Sequence, residues 1–125
     1  PHVVGSGIPG HGSFPGTTSP FGVRVKDGSS GAVVTAYDPN AGSAYTVEVY
    51  SIDGSTTFRG FVVAVFSGGS TPSSFAATKA GSLTAVSGAQ AMGSECANGL
   101  THTSGSTEKT VATGSWTPPS VGTGL

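Results

Sequence analysis

The sequence predicts an all-β protein, an antiparallel β-sandwich that follows an extended N-terminal arm. Short segments of alternating apolar and polar residues recur along the chain, separated by turns rich in Gly, Pro and Asp. This spacing is typical of sandwiches. No segment keeps a helical period over two turns. The longest unbroken apolar run, at residues 61–66, consists mainly of β-branched and aromatic residues and is too short for an independent helix.

The composition indicates a folded domain of extracellular type. A chain of 125 residues suits one domain, and 35% hydrophobic with only 9% charged residues does not fit a disordered chain. Gly, Ser and Thr dominate while Lys and Glu are scarce, as we expect of a secreted or cell-surface protein. The basic residues are scattered singly and the net charge is -1, so nucleic acid is not an expected partner.

Three further expectations concern the membrane, the N-terminus and the cysteine. Since no apolar run reaches about 18 residues, we expect no membrane span. The chain begins with Pro1 and His2 instead of Met, which favours either a removed leader peptide or a longer precursor. Cys96 is the single cysteine, so no intrachain disulfide is expected.

Residues 1–18 form the predicted arm, and residues 19–125 form the predicted sandwich domain. Gly, Pro, Ser and Thr prevail in the arm. Within it, Val3 and Val4 could pair as a short strand, either inside this molecule or on a neighbouring copy. The arm is therefore a candidate donor strand.

Alternation defines the first strands of the domain. At residues 21–26 it places Phe21, Val23 and Val25 inward and the two basic residues outward. A second strand is predicted at 32–37 and a third at 45–50. Turns rich in Asp and Gly follow at 27–28, 38–42 and 53–55.

We predict residues 58–67 as the central strand. Alternation puts apolar side chains on both of its faces, and a two-layer sandwich normally leaves one face of each sheet wet. The second face therefore needs a cover, which could be a packed loop, a glycan or another copy of the chain. The first face carries Phe61, Val63 and Val65, and the second carries Val62, Ala64 and Phe66.

Shorter strands are predicted in the second half of the chain, at 75–79, 82–87, 100–103 and 109–113. Residues 89–92 fit either a helical turn or an edge strand. Trp116 precedes two prolines, and we interpret it as a core residue at a strand end, although an exposed indole could stack on sugar. Tyr37, Tyr45 and Tyr50 leave the same two options, and for each we favour the core or cross-strand pairing.

The order of several short motifs resembles the reeler domain family, an extracellular, immunoglobulin-like β-sandwich of secreted proteins. The resemblance implies that fold, an extracellular location and a role in recognition. It also implies a disulfide from Cys96 to a cysteine before the Pro-x-His motif, which this sequence lacks, and a last strand beyond residue 122. The matching residues are Pro9-Gly10-His11-Gly12, Ser19-Pro20-Phe21, Tyr45-Thr46-Val47, Phe58-Arg59-Gly60-Phe61, Cys96, Thr101-His102-Thr103-Ser104 and Trp116-Thr117-Pro118.

The sequence offers no catalytic constellation, so we expect neither an enzyme nor a cofactor. No Gly-x-Ser-x-Gly elbow precedes a helix, and no glycine-rich loop leads into one. The carboxylates lie in turns or at outward strand positions with no motif that pairs them. They are Asp27, Asp38, Glu48, Asp53, Glu95 and Glu108.

The sequence raises the questions of a bound metal ion and of O-glycosylation. His11, His102 and Cys96 would be the candidate metal ligands if the arm lies beside Cys96, but they lack ligand spacing. The alternative is that both histidines cap turns and bond to the backbone, so we predict no metal. O-glycosylation is suggested where Ser and Thr lie near Pro, at Thr17, Thr18, Ser19, Thr71 and Thr117.

Two functions compete at this point. The first is a non-enzymatic extracellular structural protein whose copies associate, as the repeating subunit of a fibre, through strand exchange. Its candidate contact residues are Val3, Val4, Val62, Ala64 and Phe66. The alternative is a monomeric recognition module that binds a glycan or another surface protein, and this alternative predicts an exposed aromatic platform.

Overall fold

The fold consists of two antiparallel β-sheets. The computed structural model describes residues 19–65, 80–86, 88–93 and 99–120, and these contain eight strands and no helix. The strands are β1 (Phe21–Lys26), β2 (Val33–Val34), β3 (Tyr45–Ser51), β4 (Val62–Ala64), β5 (Ser82–Ala85), β6 (Ala89–Ala91), β7 (Gly99–His102) and β8 (Val111–Thr117).

The larger sheet has five strands in the order β2-β1-β3-β8-β5. Its centre is β3, which pairs with β1 from Phe21↔Ser51 to Lys26↔Thr46 and with β8 from Tyr45↔Trp116 to Tyr50↔Val111. Because β3 alternates strictly, it can be covered by the core on one face and by polar side chains on the other.

The smaller sheet has the order β4-β7-β6. The strand predicted at residues 58–67 starts later in the structure than we expected. In the described part of the chain, β4 starts only at Val62 and has β7 as its one neighbouring strand. Phe58 lies outside β4 and forms an isolated bridge with Lys109. An apolar segment predicts burial, but the position of its strand within a sheet depends on pairing partners that are distant in sequence.

The core lies between the sheets and is centred on Trp116 and Leu100, which are 1% and 0% exposed. The indole packs edge-on against Tyr37, with ring centroids 5.1 Å apart, and tilted against Tyr45 at 5.9 Å. Its Nε1 donates a hydrogen bond to the Ala80 carbonyl at 2.9 Å. The prediction of Trp116 as a core residue is therefore confirmed.

Most strand predictions within the described residues are confirmed, with changed lengths. The inward face of β1 packs against the core as expected through Val23 and Val25. The second strand is shorter than 32–37, residues 89–91 are a strand instead of a helical turn, and β8 continues to Thr117. The predicted strand at 75–79 and the predicted arm at 1–18 lie outside the described residues.

Two aspartates hold the turns that follow β1 and β3. Asp27 Oδ1 accepts hydrogen bonds from the backbone N–H and the hydroxyl of both Ser29 and Ser30. The Ser29 hydroxyl above all lowers the pKa of Asp27 to about 2. Asp53 accepts comparable bonds from Thr56, Ser51 and Ser55, which also lower its pKa. These carboxylates act as turn-forming groups.

Gly114 on β8 tests the packing of the core. A Cβ at this position would lie 2.4 Å from Leu100 Cδ1 and 3.2 Å from Leu83 Cδ1. We expect Gly114→Ala to lower the free energy of unfolding by about 1–3 kcal/mol, because the core would be overpacked. Gly93→Ala is the control, since no atom lies within 4 Å of its added Cβ. Urea denaturation measures both variants, and equal values for the two would contradict this packing.

Candidate interaction surface

The outer face of the five-stranded sheet carries a polar cluster on β1 and β3. Alternation directs Arg24, Lys26, Glu48 and Tyr50 away from the core, and register places Arg24 opposite Glu48. Arg24 Nε donates to Glu48 Oε2, and Lys26 Nζ donates to Glu48 Oε1 at 3.0 Å. Glu48 is thereby 6% exposed even though it faces away from the core.

Two opposing effects act on the Glu48 carboxyl. Burial raises its pKa, while hydrogen bonds and charges from Arg24 and Lys26 lower it. The cations together outweigh burial, so the pKa of Glu48 lies below its usual value of 4.5. The carboxylate is ionised at neutral pH and has both of its oxygens occupied, which suits it to holding strands together instead of transferring protons.

The Tyr50 ring is packed within the same cluster. A Cβ on Gly22, its partner across the strands, would lie 2.9 Å from Tyr50 Cε1, so the ring lies directly over this glycine. The guanidinium carbon of Arg24 lies 4.1 Å from the ring centroid, a cation–π contact. Trp116, Tyr37 and Tyr45 are buried. The favoured core placement therefore holds for these three, and Tyr50 is half-buried beside Arg24.

The exposed side of β4 is the surface that the sequence singled out for self-association. Val63 faces the core and is 9% exposed, whereas Val62 faces away and is 49% exposed. Ala64 is half-buried on the same side as Val62, and Thr101 of β7 lies directly opposite Val62. We call Val62, Ala64 and Thr101 the β4 face. The other candidates, Val3, Val4 and Phe66, lie outside the described residues.

His102 makes the backbone contact that we considered as the alternative to metal binding. Its Nδ1 accepts a hydrogen bond from the Phe61 N–H at 3.4 Å, and a Cβ on Gly60 would lie 3.0 Å from the ring. His11 and Cys96 lie outside the described residues. Among the residues that the structure does describe, no group of three His, Cys, Asp or Glu side chains could hold a metal ion.

Two of the candidate O-glycosylation residues are described. Ser19 Oγ accepts a hydrogen bond from the Phe21 N–H at 3.2 Å. Thr117 is exposed at the end of β8 and borders a shallow cleft of about 220 Å³. The cleft lies between the loop at 38–44 and the end of β8, and Asp38 and Ser43 also line it. Thr17, Thr18 and Thr71 lie outside the described part.

Lys109 has a structural role that the sequence did not suggest. Its Nζ donates hydrogen bonds to the backbone carbonyls of Arg59 at 2.6 Å, Thr107 at 2.8 Å and Ser104 at 3.4 Å. The ammonium thereby joins the segment before β4 to the loop after β7. Only tertiary structure brings these carbonyls together, so no local sequence signal could have identified them.

Comparison with known proteins identifies the family to which this chain belongs. The family model described as "Reeler domain" matches residues 4–124, which is nearly the whole chain, and the structure is an all-β fold of two antiparallel sheets. The protein is thus a β-sandwich module of extracellular type. It belongs to the reeler domain family, as the order of its motifs indicated.

Solved structures agree with this fold. The human F-spondin reeler domain is 22% identical, has a TM-score of 0.61, and aligns over 83% of this chain and 67% of its own. The Reelin-N domain of F-spondin is 23% identical with a TM-score of 0.60, over 86% and 68% of the two chains. No curated protein sequence matches the chain. Within its described residues there is no helix with the length and apolar character to cross a membrane.

Replacing Glu48 with Gln tests the polar cluster. We expect the free energy of unfolding at pH 7 to fall by about 1–3 kcal/mol, because Arg24 and Lys26 lose their charged acceptor. Since the folded pKa lies below the usual 4.5, the carboxylate stabilises the fold above that pH, and this contribution is lost as the pH falls through the folded pKa. The difference in free energy of unfolding between wild type and variant should therefore decrease at acid pH, as measured by urea denaturation.

Glu108→Gln is the matched control for this experiment. Glu108 accepts from Arg59 at 3.1 Å, but the two side chains are 53% and 66% exposed. Solvent screens such a pair, so the loss at pH 7 should stay below about 1 kcal/mol. Equal losses for the two variants would show that the enclosure of Glu48 contributes nothing.

Proposed function

We propose that this protein is a non-enzymatic, extracellular structural module whose copies associate through β4, and that repetition of this contact builds a fibre. The observation that supports the proposal is the difference in solvent exposure between the two faces of β4. Val63 is buried at 9% exposure while its neighbour Val62 is 49% exposed, on a strand that has one partner strand in the described residues.

Burial of apolar surface and pairing of backbone groups would both favour association through β4. Covering a valine removes apolar surface from water, which contributes about 25 cal/mol per Å². Among the described residues β4 pairs with β7 alone, and a strand edge that is not covered is a template for another chain. The side chains and the backbone of β4 therefore favour the same event, association with a further strand or surface.

Strand exchange is the form of this contact that the sequence suggests. The arm at residues 1–18 carries Val3 and Val4, which could pair with a strand of a neighbouring copy. Main-chain hydrogen bonds would then supply affinity, and alternate side chains would fill pockets. A head-to-tail contact of this kind generates an open filament when its rotation does not close.

The non-enzymatic part of the proposal is supported by how the described carboxylates are used. Asp27 and Asp53 hold turns, Glu48 is bound by two cations, and Glu108 accepts from Arg59 and Thr57. Among the described residues, none of these four is paired with another carboxylate or with a histidine, as general acid–base chemistry would require. Membership of the reeler domain family favours the same conclusion.

Recognition of a glycan or another surface protein is the second candidate. The cleft beside Thr117 favours it, because Asp38 and Ser43 offer polar groups next to the apolar Pro39 and Pro118. The burial of Trp116, Tyr37 and Tyr45 counts against it, since stacking on sugar needs an exposed ring. We therefore propose self-association first and keep recognition as the second candidate.

Substitution within the cleft tests this second candidate. If the cleft binds a glycan, wild-type protein should retain specific sugars on a glycan array, and Asp38→Asn should weaken that binding at least about tenfold through loss of a charged acceptor. Glu108→Gln, which lies away from the cleft, should leave binding unchanged. An array without a hit for the wild type would remove the glycan-binding candidate.

Val62→Lys tests self-association directly. We expect the wild type to form species well above the 12.1 kDa subunit by light scattering, and the variant to remain at the subunit mass because an unpaired lysine cannot be buried in the contact. Val33→Lys is the control: Val33 is 58% exposed but belongs to the other sheet. A wild type that stays at subunit mass, or a Val62→Lys variant that assembles normally, would contradict the proposal.

Deleting residues 1–7 examines the donor arm separately. Loss of assembly in the deletion variant would support strand donation. Normal assembly by the deletion variant, together with blocked assembly by Val62→Lys, would leave contact through the β4 face and remove strand donation.

A further inference from the structure

The end of β8 brings a hydroxyl group to the rim of the cleft beside the loop at 38–44. Trp116 faces the core and is 1% exposed, so alternation turns the next residue, Thr117, outward. Thr117 is exposed and lines the cleft together with Pro118. Within the described part of the chain, the Thr117 hydroxyl has no hydrogen-bond partner. This oxygen is therefore available for a ligand or a modification.

The backbone around Thr117 holds that hydroxyl in a restricted direction. Thr117 is paired with Ser82 at the end of the β5–β8 ladder, and Pro118 and Pro119 follow it directly. A proline restricts the residue before it to extended conformations, and a β-branched side chain has few χ1 rotamers. A group attached to this oxygen would start at the rim of the cleft and lose little freedom there.

The opposite wall of the cleft is a loop that the core holds in place. The Tyr45 hydroxyl accepts a hydrogen bond from the Asp38 N–H at 2.8 Å, and Tyr45 packs against Trp116. Asp38 Oδ1 accepts a bond from the Asn40 N–H at 2.8 Å, and the Asp38 carbonyl accepts one from the Ala41 N–H at 3.2 Å. The loop is thus preorganised, which lowers the entropic cost of filling the cleft.

The groups that line the cleft match an uncharged sugar. Its volume of about 220 Å³ is below the roughly 300–1,000 Å³ of sites for drug-sized ligands, so it suits a single sugar ring. Pro39 and Pro118 provide apolar surface for the C–H face of the ring, and Asp38 and Ser43 provide polar groups for its hydroxyls. The Asp38 carboxylate would repel an acidic sugar.

A sugar attached to Thr117 is favoured over a free one. A free monosaccharide would lose translational and rotational freedom on binding to so small a cleft, whereas a sugar bonded to the rim has a high effective concentration there. Ser and Thr near Pro are typical of O-glycosylated chains. Residues 113–120 have this composition, with Thr113, Ser115, Thr117, Pro118, Pro119 and Ser120.

We propose that Thr117 carries an O-linked, uncharged sugar whose ring fills the cleft and fixes the loop at 38–44 to the end of β8. In the transfer step, Thr117 Oγ1 bonds to the anomeric carbon of a phosphate-activated sugar. The phosphate leaves with the electron pair of its bond to that carbon, and the hydroxyl proton passes to a base of the transferase. This modification is independent of association through β4.

Mass spectrometry of the full chain, secreted from a eukaryotic host, tests the attachment. We expect peptide fragmentation of the wild type to assign a hexose-type sugar to Thr117. Thr117→Val keeps the β-branched shape without the hydroxyl, so the sugar at this position should be lost. Thr113→Val is the matched control, because Thr113 lies on the same strand but does not line the cleft. This control should keep the sugar on Thr117.

Hydrogen exchange tests whether the sugar lies in the cleft. Amides of the loop at 38–44 should exchange about tenfold more slowly in the glycosylated wild type than in Thr117→Val, because a ring against the loop opposes local opening. Ser43→Ala removes one polar group of the cleft and should reduce this slowing about fivefold. Ser55→Ala is its control, since Ser55 is exposed in the turn after β3 and lies outside the cleft.

The outcomes separate attachment of the sugar from its position. A secreted wild type without a sugar on Thr117 would overturn the proposal. A sugar on Thr117 that leaves exchange in the loop as fast as in Thr117→Val would also overturn it, because the ring would then extend into solvent. Slow exchange that persists in Thr117→Val would contradict it as well. None of these results affects association through β4, which Val62→Lys tests separately.

Discussion

In a two-layer sandwich each strand turns only one face toward the core, and β4 carries apolar side chains on both faces. Val63 occupies the inner side and is buried, while Val62 is half exposed on the outer side. The described part of the chain brings only β7 alongside this strand. The proposed association follows from this constraint, because covering the outer side of β4 would remove the exposed apolar surface of Val62 from water.

The larger sheet buries apolar side chains on one face and carries charged side chains on the other. On its inner face, Trp116 and Leu100 fill the core almost without exposure. On its outer face, Arg24 and Lys26 enclose the Glu48 carboxylate, so polar groups cover the middle of the sheet. Exposed apolar residues of that face lie toward its edges, at Val33 on β2 and at Ile52, Val86 and Val111. Charged side chains therefore cover the outer face of the sheet at β1 and β3. Among the described residues, no charged side chains cover the outer side of β4 in this way.

Local sequence was enough to predict the elements but not their arrangement. Strict alternation predicted β1 and β3 closely, and the sandwich class and family followed from turn spacing and motif order. The start of β4 at Val62 was missed, because pairing partners distant in sequence decide where a strand begins. The shared face of Ile52, Val86 and Val111 was missed for the same reason: the three are isolated in sequence, and only strand register brings them onto one face. Exposure of Val62 followed from alternation alone.

Sedimentation velocity on the wild-type chain, from nanomolar to near-millimolar concentration, tests whether copies of this protein associate. We predict that the mass distribution shifts from the 12.1 kDa subunit to progressively longer species as concentration rises, without stopping at a dimer. A single species of subunit mass across the whole range would contradict it.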